Sequence, residues 1–244
     1  MELIVTATAS EAAQLVAASI IGQIQLKPSS VLGLAAGRTP RAAYRLIAEH
    51  RPLAIPAAVV MLDEYLGLGP TDPGCFRRDI RSTLTDPLGL EPERLHTLDG
   101  LTDQPALECQ RFEDTIAALG GIDLQLLGLG RNGHIAFNEP GSAHDSRTRV
   151  VALSEATRAD NASAFSASRY IPRHALTQGI GTILDARTII LLATGSPKAV
   201  AVRATVEGQV TTEVPASALQ HHDDVMVVVD HDAAQQLLTP ALSH

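Results

Sequence analysis

Apolar residues along this chain arrive in two rhythms. Short unbroken runs fall at Leu3–Ala7, Ser30–Leu34, Ala57–Leu62, Ile122–Leu127, Thr148–Ala152, Thr188–Ala193 and Val225–Val229. A run without polar alternation is what a strand covered on both faces looks like. Between the runs lie segments with helix-start signals. Ser10 is placed to cap Glu11–Ile24, and Thr39 followed by Pro40 is placed to cap Arg41–Glu49. Gln104–Leu119, Gly195–Val206 and Ala233–Leu238 read likewise. This alternation predicts a single-domain, Rossmann-like α/β fold over residues 1–244, a doubly wound, mainly parallel sheet with helices on both faces. Such folds bind ligands outside the carboxyl ends of their strands. Four loops therefore share one rim: 35–39, 63–73, 128–147 and 194–198.

The third of these is the richest in chemistry. Residues 126–141 read LLGLGRNGHIAFNEPG, an apolar run opening through glycines onto Asn132, His134, Asn138 and Glu139. Gly128 to Gly133 formally match the dinucleotide fingerprint, but Pro140 interrupts the stretch where the long helix should run. His134 and Glu139 instead suit an acid/base pair, the carboxylate orienting the imidazole. No second His stands at helical spacing, so a metal site is the weaker reading, and a hydrogen-bonded structural His is the plain alternative.

The other loops are ambiguous singly. Asp63-Glu64 directly follows an apolar run, and a buried acid must be paired or used; one could serve as a general base, or Asp63 could cap a turn beside a solvated Glu64. The turn Gly33–Pro40, with Ala36, Gly37, Arg38 and Thr39, offers small residues and a helix start to a phosphate, though without the lysine and spacing of a Walker loop. It could equally be a tight turn that binds nothing. Lys198 sits in a first helical turn, against the dipole, which hints at an anion; otherwise it is a surface lysine. Together the four loops suggest a phosphorylated small molecule undergoing proton transfer.

Composition narrows the partners. The chain has 244 residues, a net charge of −8 and no basic runs, which argues against nucleic acid. Aromatics are scarce, with three Tyr, four Phe and no Trp, so the core is expected to be aliphatic. Two cysteines indicate neither a disulfide framework nor a zinc site. Met1-Glu2 opens no secretory signal, and the uncharged stretch Ala12–Leu26 is too short to span a bilayer. A cytoplasmic enzyme acting on a small molecule, with no membrane partner, is the expectation.

At this point the motifs become specific. GLAAGRTP (33–40), LDEYLGL (62–68), LGLGRNGHIAFNEPGS (127–142), SRTR (146–149), LTQGIGTILDA (176–186) and ATGSPKA (193–199) together resemble the glucosamine-6-phosphate deaminase family over nearly the whole chain. The GHIAFNEP segment separates that family from 6-phosphogluconolactonases, which share its fold. The resemblance implies isomerisation and deamination of glucosamine 6-phosphate to fructose 6-phosphate and ammonia, with neither metal nor organic cofactor. It makes Asp63 the base that moves the C2 proton. His134, supported by Glu139 and Asn132, would open the sugar ring. The turn at 36–39 and Lys198 would hold the phosphate, under a lid around 154–175.

Several positions depart from the family pattern. Asn132 stands where many members carry Asp, and Ala36 where Thr or Ser is usual. Ser163 stands where the family typically has an Arg that reaches the phosphate. Losing a bidentate contact of that kind costs about 1.5–3 kcal/mol, or roughly ten- to a hundredfold in affinity; Arg158 or Arg169 could compensate from the lid. The altered lid and Ala36 keep two alternatives open: the same chemistry on a related substrate such as galactosamine 6-phosphate, or a catalytically weak sugar-phosphate sensor. Hexameric members are activated at a subunit interface through polar and basic residues and a C-terminal tyrosine. Ser142 and Arg149 match that set, Ala143 and Val151 do not, and His244 precedes the tyrosine segment. The expectation is no such activation and a monomer or small homo-oligomer.

Overall fold

The computed structural model describes residues 1–52, 55–162, 165 and 171–238. Its frame is a seven-stranded, wholly parallel sheet formed by β1 (Glu2–Thr6), β2 (Val31–Leu34), β3 (Ala58–Met61), β5 (Leu95–His96), β6 (Leu124–Gly128), β9 (Thr188–Ala193) and β10 (Val225–Asp230). The strands lie in the order β1-β10-β9-β6-β2-β3-β5. The central strands are buried almost end to end because both faces are covered. One face carries α1 (Ala9–Leu26) and α2 (Arg38–His50), which bury Ala12, Val16, Ile20, Ala43, Tyr44 and Ile47 against Leu32, Leu34 and Leu126. The other carries α5 (Pro105–Ala118), α7 (Ile180–Leu184), α8 (Ala199–Val206) and α9 (His231–Ala234), through Phe112, Ile183, Val202 and Ala233. The predicted doubly wound α/β fold with helices on both faces is what the chain adopts. No helix among the described residues is long and apolar enough to cross a membrane.

A second sheet was not expected. β4 (Asp63–Tyr65), β7 (Arg149–Ala152) and β8 (His174–Thr177) pair antiparallel in the order β4-β8-β7. The run Thr148–Ala152 thus belongs to this sheet rather than among the buried parallel strands. Its burial alternates along the strand, as in a sheet with one wet face. Beneath it the scarce aromatics gather: Tyr65 lies 5.0 Å from Phe76, 5.2 Å from Phe137 and 5.3 Å from Phe165, ring centre to ring centre. Three of the four phenylalanines are therefore spent here.

Helix starts differ from the sequence expectation for local reasons. α1 is capped by Thr8, whose Oγ1 accepts from Glu11 N at 3.2 Å while Glu11 Oε2 accepts from Ala7 N at 3.0 Å. Ser10 has no acid three residues on and lies inside the first turn. α2 begins at Arg38, and Thr39 is not its cap. Gly37 takes that place with a φ of 116°, a region closed to most side chains. Past Gly195 a single tight turn, Ser196–Lys198, precedes α8. α9 begins earlier than expected because Asp230 caps it, accepting from Ala233 N at 2.9 Å, and it ends at Ala234.

Candidate active site

The four rim loops enclose one cleft of about 490 Å³ at the carboxyl ends of β2, β3, β6 and β9. Ala36, Gly37, Arg38, Thr39, Asp63, His134 and Lys198 all line it. Asn132 and Glu139 stand behind His134. Ser163 and Arg169 lie outside the described residues.

Asp63 enters from β4, whose pairing with Thr177 of β8 sets its position. Its side chain is buried and takes no hydrogen bond among the described residues. Burial first, and then the adjacent Glu64 charge, push its carboxyl well above the ordinary range. It caps no turn. Glu64 is not solvated either: its oxygens accept from Tyr65 N, Phe76 N and Arg77 N at 3.0, 3.2 and 3.1 Å and from Cys75 Sγ at 3.1 Å. One acid therefore secures the start of α3 (Phe76–Ile80) and leaves the other facing the cleft.

His134 is placed by a glycine. Gly130 N donates to His134 O at 2.8 Å, and the imidazole lies over Gly130 so closely that a Cβ there would be 2.4 Å from three ring atoms. Its Nδ1 stands 3.7 Å from Glu139 Oε2, an ion-pair distance rather than the orienting hydrogen bond expected. The nearer donor to that oxygen is Asn132 Nδ2 at 2.7 Å. Glu139 Oε1 in turn accepts from Ser154 Oγ at 3.0 Å and from Thr157 Oγ1. Ser154 caps and Thr157 belongs to α6 (Glu155–Asn161), so Glu139 joins the histidine loop to the lid segment. Sequence reading missed both hydroxyls, which carry no signal of their own. Asn138, fully buried, completes the frame by donating to Ile135 O and Gln178 O and accepting from Arg149 Nη1.

Burial alone would raise Glu139, but the neighbouring His134 and the hydrogen bonds from Thr157 and Asn132 outweigh it and hold the carboxyl at about 2, against an ordinary 4.5. A depressed acid stabilises the fold above the unfolded value and loses that contribution as pH falls through the folded one. Glu139→Gln is therefore expected to cost roughly 2–3 kcal/mol at pH 7. Thermal melts should show its gap from the parent closing as pH drops from 4.5 toward 2.

Arg38, Arg131, Lys198 and Asp160 also line the cleft, close enough together for the other three to act on Lys198. Lys198 is held below its ordinary value, by burial first; Asp160 pulls the other way and Arg131 and Arg38 add to the lowering. Arg131 lies in the glycine-rich turn of residues 128–133, and nothing in the sequence marks it for a role. No group of three or more His, Cys, Asp or Glu among the described residues is placed to hold a metal ion. The arrangement suits proton transfer at one end of a small molecule and anion binding at the other.

Comparison with known proteins agrees with that reading. The family of glucosamine-6-phosphate isomerases and 6-phosphogluconolactonases matches residues 5–228. A glucosamine-6-phosphate deaminase of Shewanella loihica is 46% identical over 241 residues, 97% of this chain and 90% of the relative. One of Rhodopirellula baltica is 48% identical over 227 residues, 91% of this chain and 90% of the relative. Among solved structures, a monomeric glucosamine-6-phosphate deaminase superposes with a TM-score of 0.93 at 41% identity, covering 97% of this chain and 100% of its own. A 6-phosphogluconolactonase from Trypanosoma cruzi, at 21% identity and a TM-score of 0.78, covers 98% of this chain and 97% of its own and shares the fold alone.

Proposed function

The chain belongs to the family of glucosamine-6-phosphate isomerases and 6-phosphogluconolactonases, and on that premise we propose that it is a glucosamine-6-phosphate deaminase. It takes glucosamine 6-phosphate and water to fructose 6-phosphate and ammonia. The observation that carries this is one cleft lined by an unclaimed, buried Asp63, by His134 with Glu139 behind it, and by the cations Arg38, Arg131 and Lys198.

Two proton transfers follow from that geometry. His134, backed by Glu139 and Asn132, moves the ring hydroxyl proton and opens the pyranose. Asp63 then takes the proton from C2 and returns it to C1, leaving an imine at C2 whose hydrolysis releases ammonia. The elevated Asp63 carboxyl suits a group that must both take and return a proton. The helix start at Gly37–Thr39, with Arg38 and Lys198, holds the phosphate. Of the lid segment, residues 154–162, 165 and 171–175 are described, α6 among them.

The same proposal makes the partner a small phosphorylated amino sugar, not nucleic acid, and the enzyme a cytoplasmic monomer or small homo-oligomer. The likeness to a relative described as monomeric supports the last point. Ammonia release assayed against a panel of 2-amino-2-deoxyhexose 6-phosphates tests the core of it. Turnover of the gluco epimer is expected. Turnover only of the galacto epimer would move the substrate, and none with any member would leave a binding protein.

A further inference from the structure

Arg131 and Asp160 meet in the lining of the cleft. The guanidinium presents two nitrogens to the carboxylate, Nε to Oδ2 at 2.9 Å and Nη2 to Oδ1. Arg131 comes from the loop after β6 and Asp160 from the last turn of α6, so the pair links the histidine loop to the lid segment. Both also line the cleft beside Arg38 and Lys198. Three cations and one carboxylate thus converge where the phosphate of the proposed substrate has to go.

The geometry of that pair is the geometry of phosphate recognition. A guanidinium offers the same planar fork to a carboxylate and to a phosphate, with two parallel N–H···O bonds in either case. A phosphomonoester brings close to two negative charges at neutral pH, where Asp160 brings one. The pair is also open to exchange: the side chains are 56% and 36% exposed, and ion pairs that exposed contribute little to stability. We propose that Arg131 is a phosphate-binding residue of this chain and that Asp160 is its displaceable stand-in. The incoming phosphate takes the Arg131 fork, beside Lys198 and Arg38, and Asp160 gives it up. This rests on the phosphorylated-substrate reading above and deepens it. Because Asp160 rides on α6, filling the anion end also loosens one of the contacts between that helix and the histidine loop.

A structural tether would look the same in a static view, but it behaves differently on substitution. Breaking a tether from either side loosens the lid, so Arg131→Met and Asp160→Asn would act in the same direction. Exchange makes them act oppositely. We would measure Kd for inorganic phosphate by calorimetry at fixed ionic strength, and KM for glucosamine 6-phosphate, on the full chain and both variants. Arg131→Met should raise Kd and KM at least tenfold. Asp160→Asn should lower Kd about threefold or more, since the competing carboxylate is gone. Arg131→Lys, which keeps the charge and loses the fork, should fall between the parent and Arg131→Met, and serves if the methionine variant does not fold. Weaker phosphate binding in Asp160→Asn, or no change in either single variant, overturns the proposal. Opposite shifts in phosphate Kd without ammonia release from any amino-sugar phosphate keep the anion site and remove the deaminase reading. Ammonia release with KM unmoved in both variants does the reverse.

Discussion

An Asp63→Asn variant is expected to lose about 10²–10⁴-fold in kcat and to melt at a higher temperature than the parent at pH 7. Both effects come from one feature. Asp63 is 7% exposed, takes no hydrogen bond among the described residues, and lies next to Glu64, itself 2% exposed. Its folded carboxyl is raised, by burial first and Glu64 second, so the fold penalises its ionised form. For a raised acid, the favourable contribution is complete below the unfolded value, ordinarily 3.8, and is lost as pH rises through the folded one. At pH 7 the parent therefore carries the cost of a base it needs for chemistry. Asparagine has the same shape and no charge at any pH, so it removes the cost together with the base. In a chain of this size each kcal/mol recovered raises Tm by about 2–4 °C. The gain should disappear in melts taken below pH 3.8, where aspartate too is neutral. An inactive variant that also melts lower at pH 7 would contradict this account of Asp63, and retained turnover would remove it as the base.

Which parts of this were legible in the sequence follows from how each part is held. β2, β9 and β10 could be read because strands covered on both faces have no polar alternation to hide them. β4 and β8 could not. Each is short, Asp63–Tyr65 is mostly polar, and its partner at Thr177 lies more than a hundred residues away, so no local rhythm marks the pairing. Asp63 stood out because it follows directly on the end of an apolar run, and His134 because a glycine-rich turn opens from another onto clustered polar groups. The support of Glu139 by Ser154 and Thr157 was not, since two hydroxyls become partners only once the lid helix is placed over the loop. The same holds for Arg131 and Asp160, 29 residues apart. The misread start of α2 has a local cause: Gly37 accepts a backbone angle that lets the helix begin one residue before the better capping side chain. Ser163 and Arg169, on which the expected change in phosphate grip turned, fall outside the described residues.

Gly130→Ala should lower kcat about a hundredfold while leaving Tm within about 2–4 °C of the parent. The added methyl would lie 2.4 Å from Cε1, Nδ1 and Nε2 of His134, well inside contact distance. The loop backbone is tied at this point, Gly130 N to His134 O at 2.8 Å and Gly133 N to Gly130 O at 3.1 Å. The imidazole is the freer of the two and is what must move. A side chain swinging aside toward the cleft costs the fold little. It costs catalysis much, because His134 already stands 3.7 Å from Glu139, and any further retreat uncouples the ring from its carboxylate. The defect should be confined to ring opening, since Asp63 comes from β4 and is untouched. Substrate deuterated at C2 separates the two steps. Where C2 proton transfer limits turnover in the parent, Gly130→Ala should suppress the isotope effect on kcat, because opening the ring has become the slow step. An isotope effect that persists in full would mean that the histidine does not open the ring, whatever its position over the glycine.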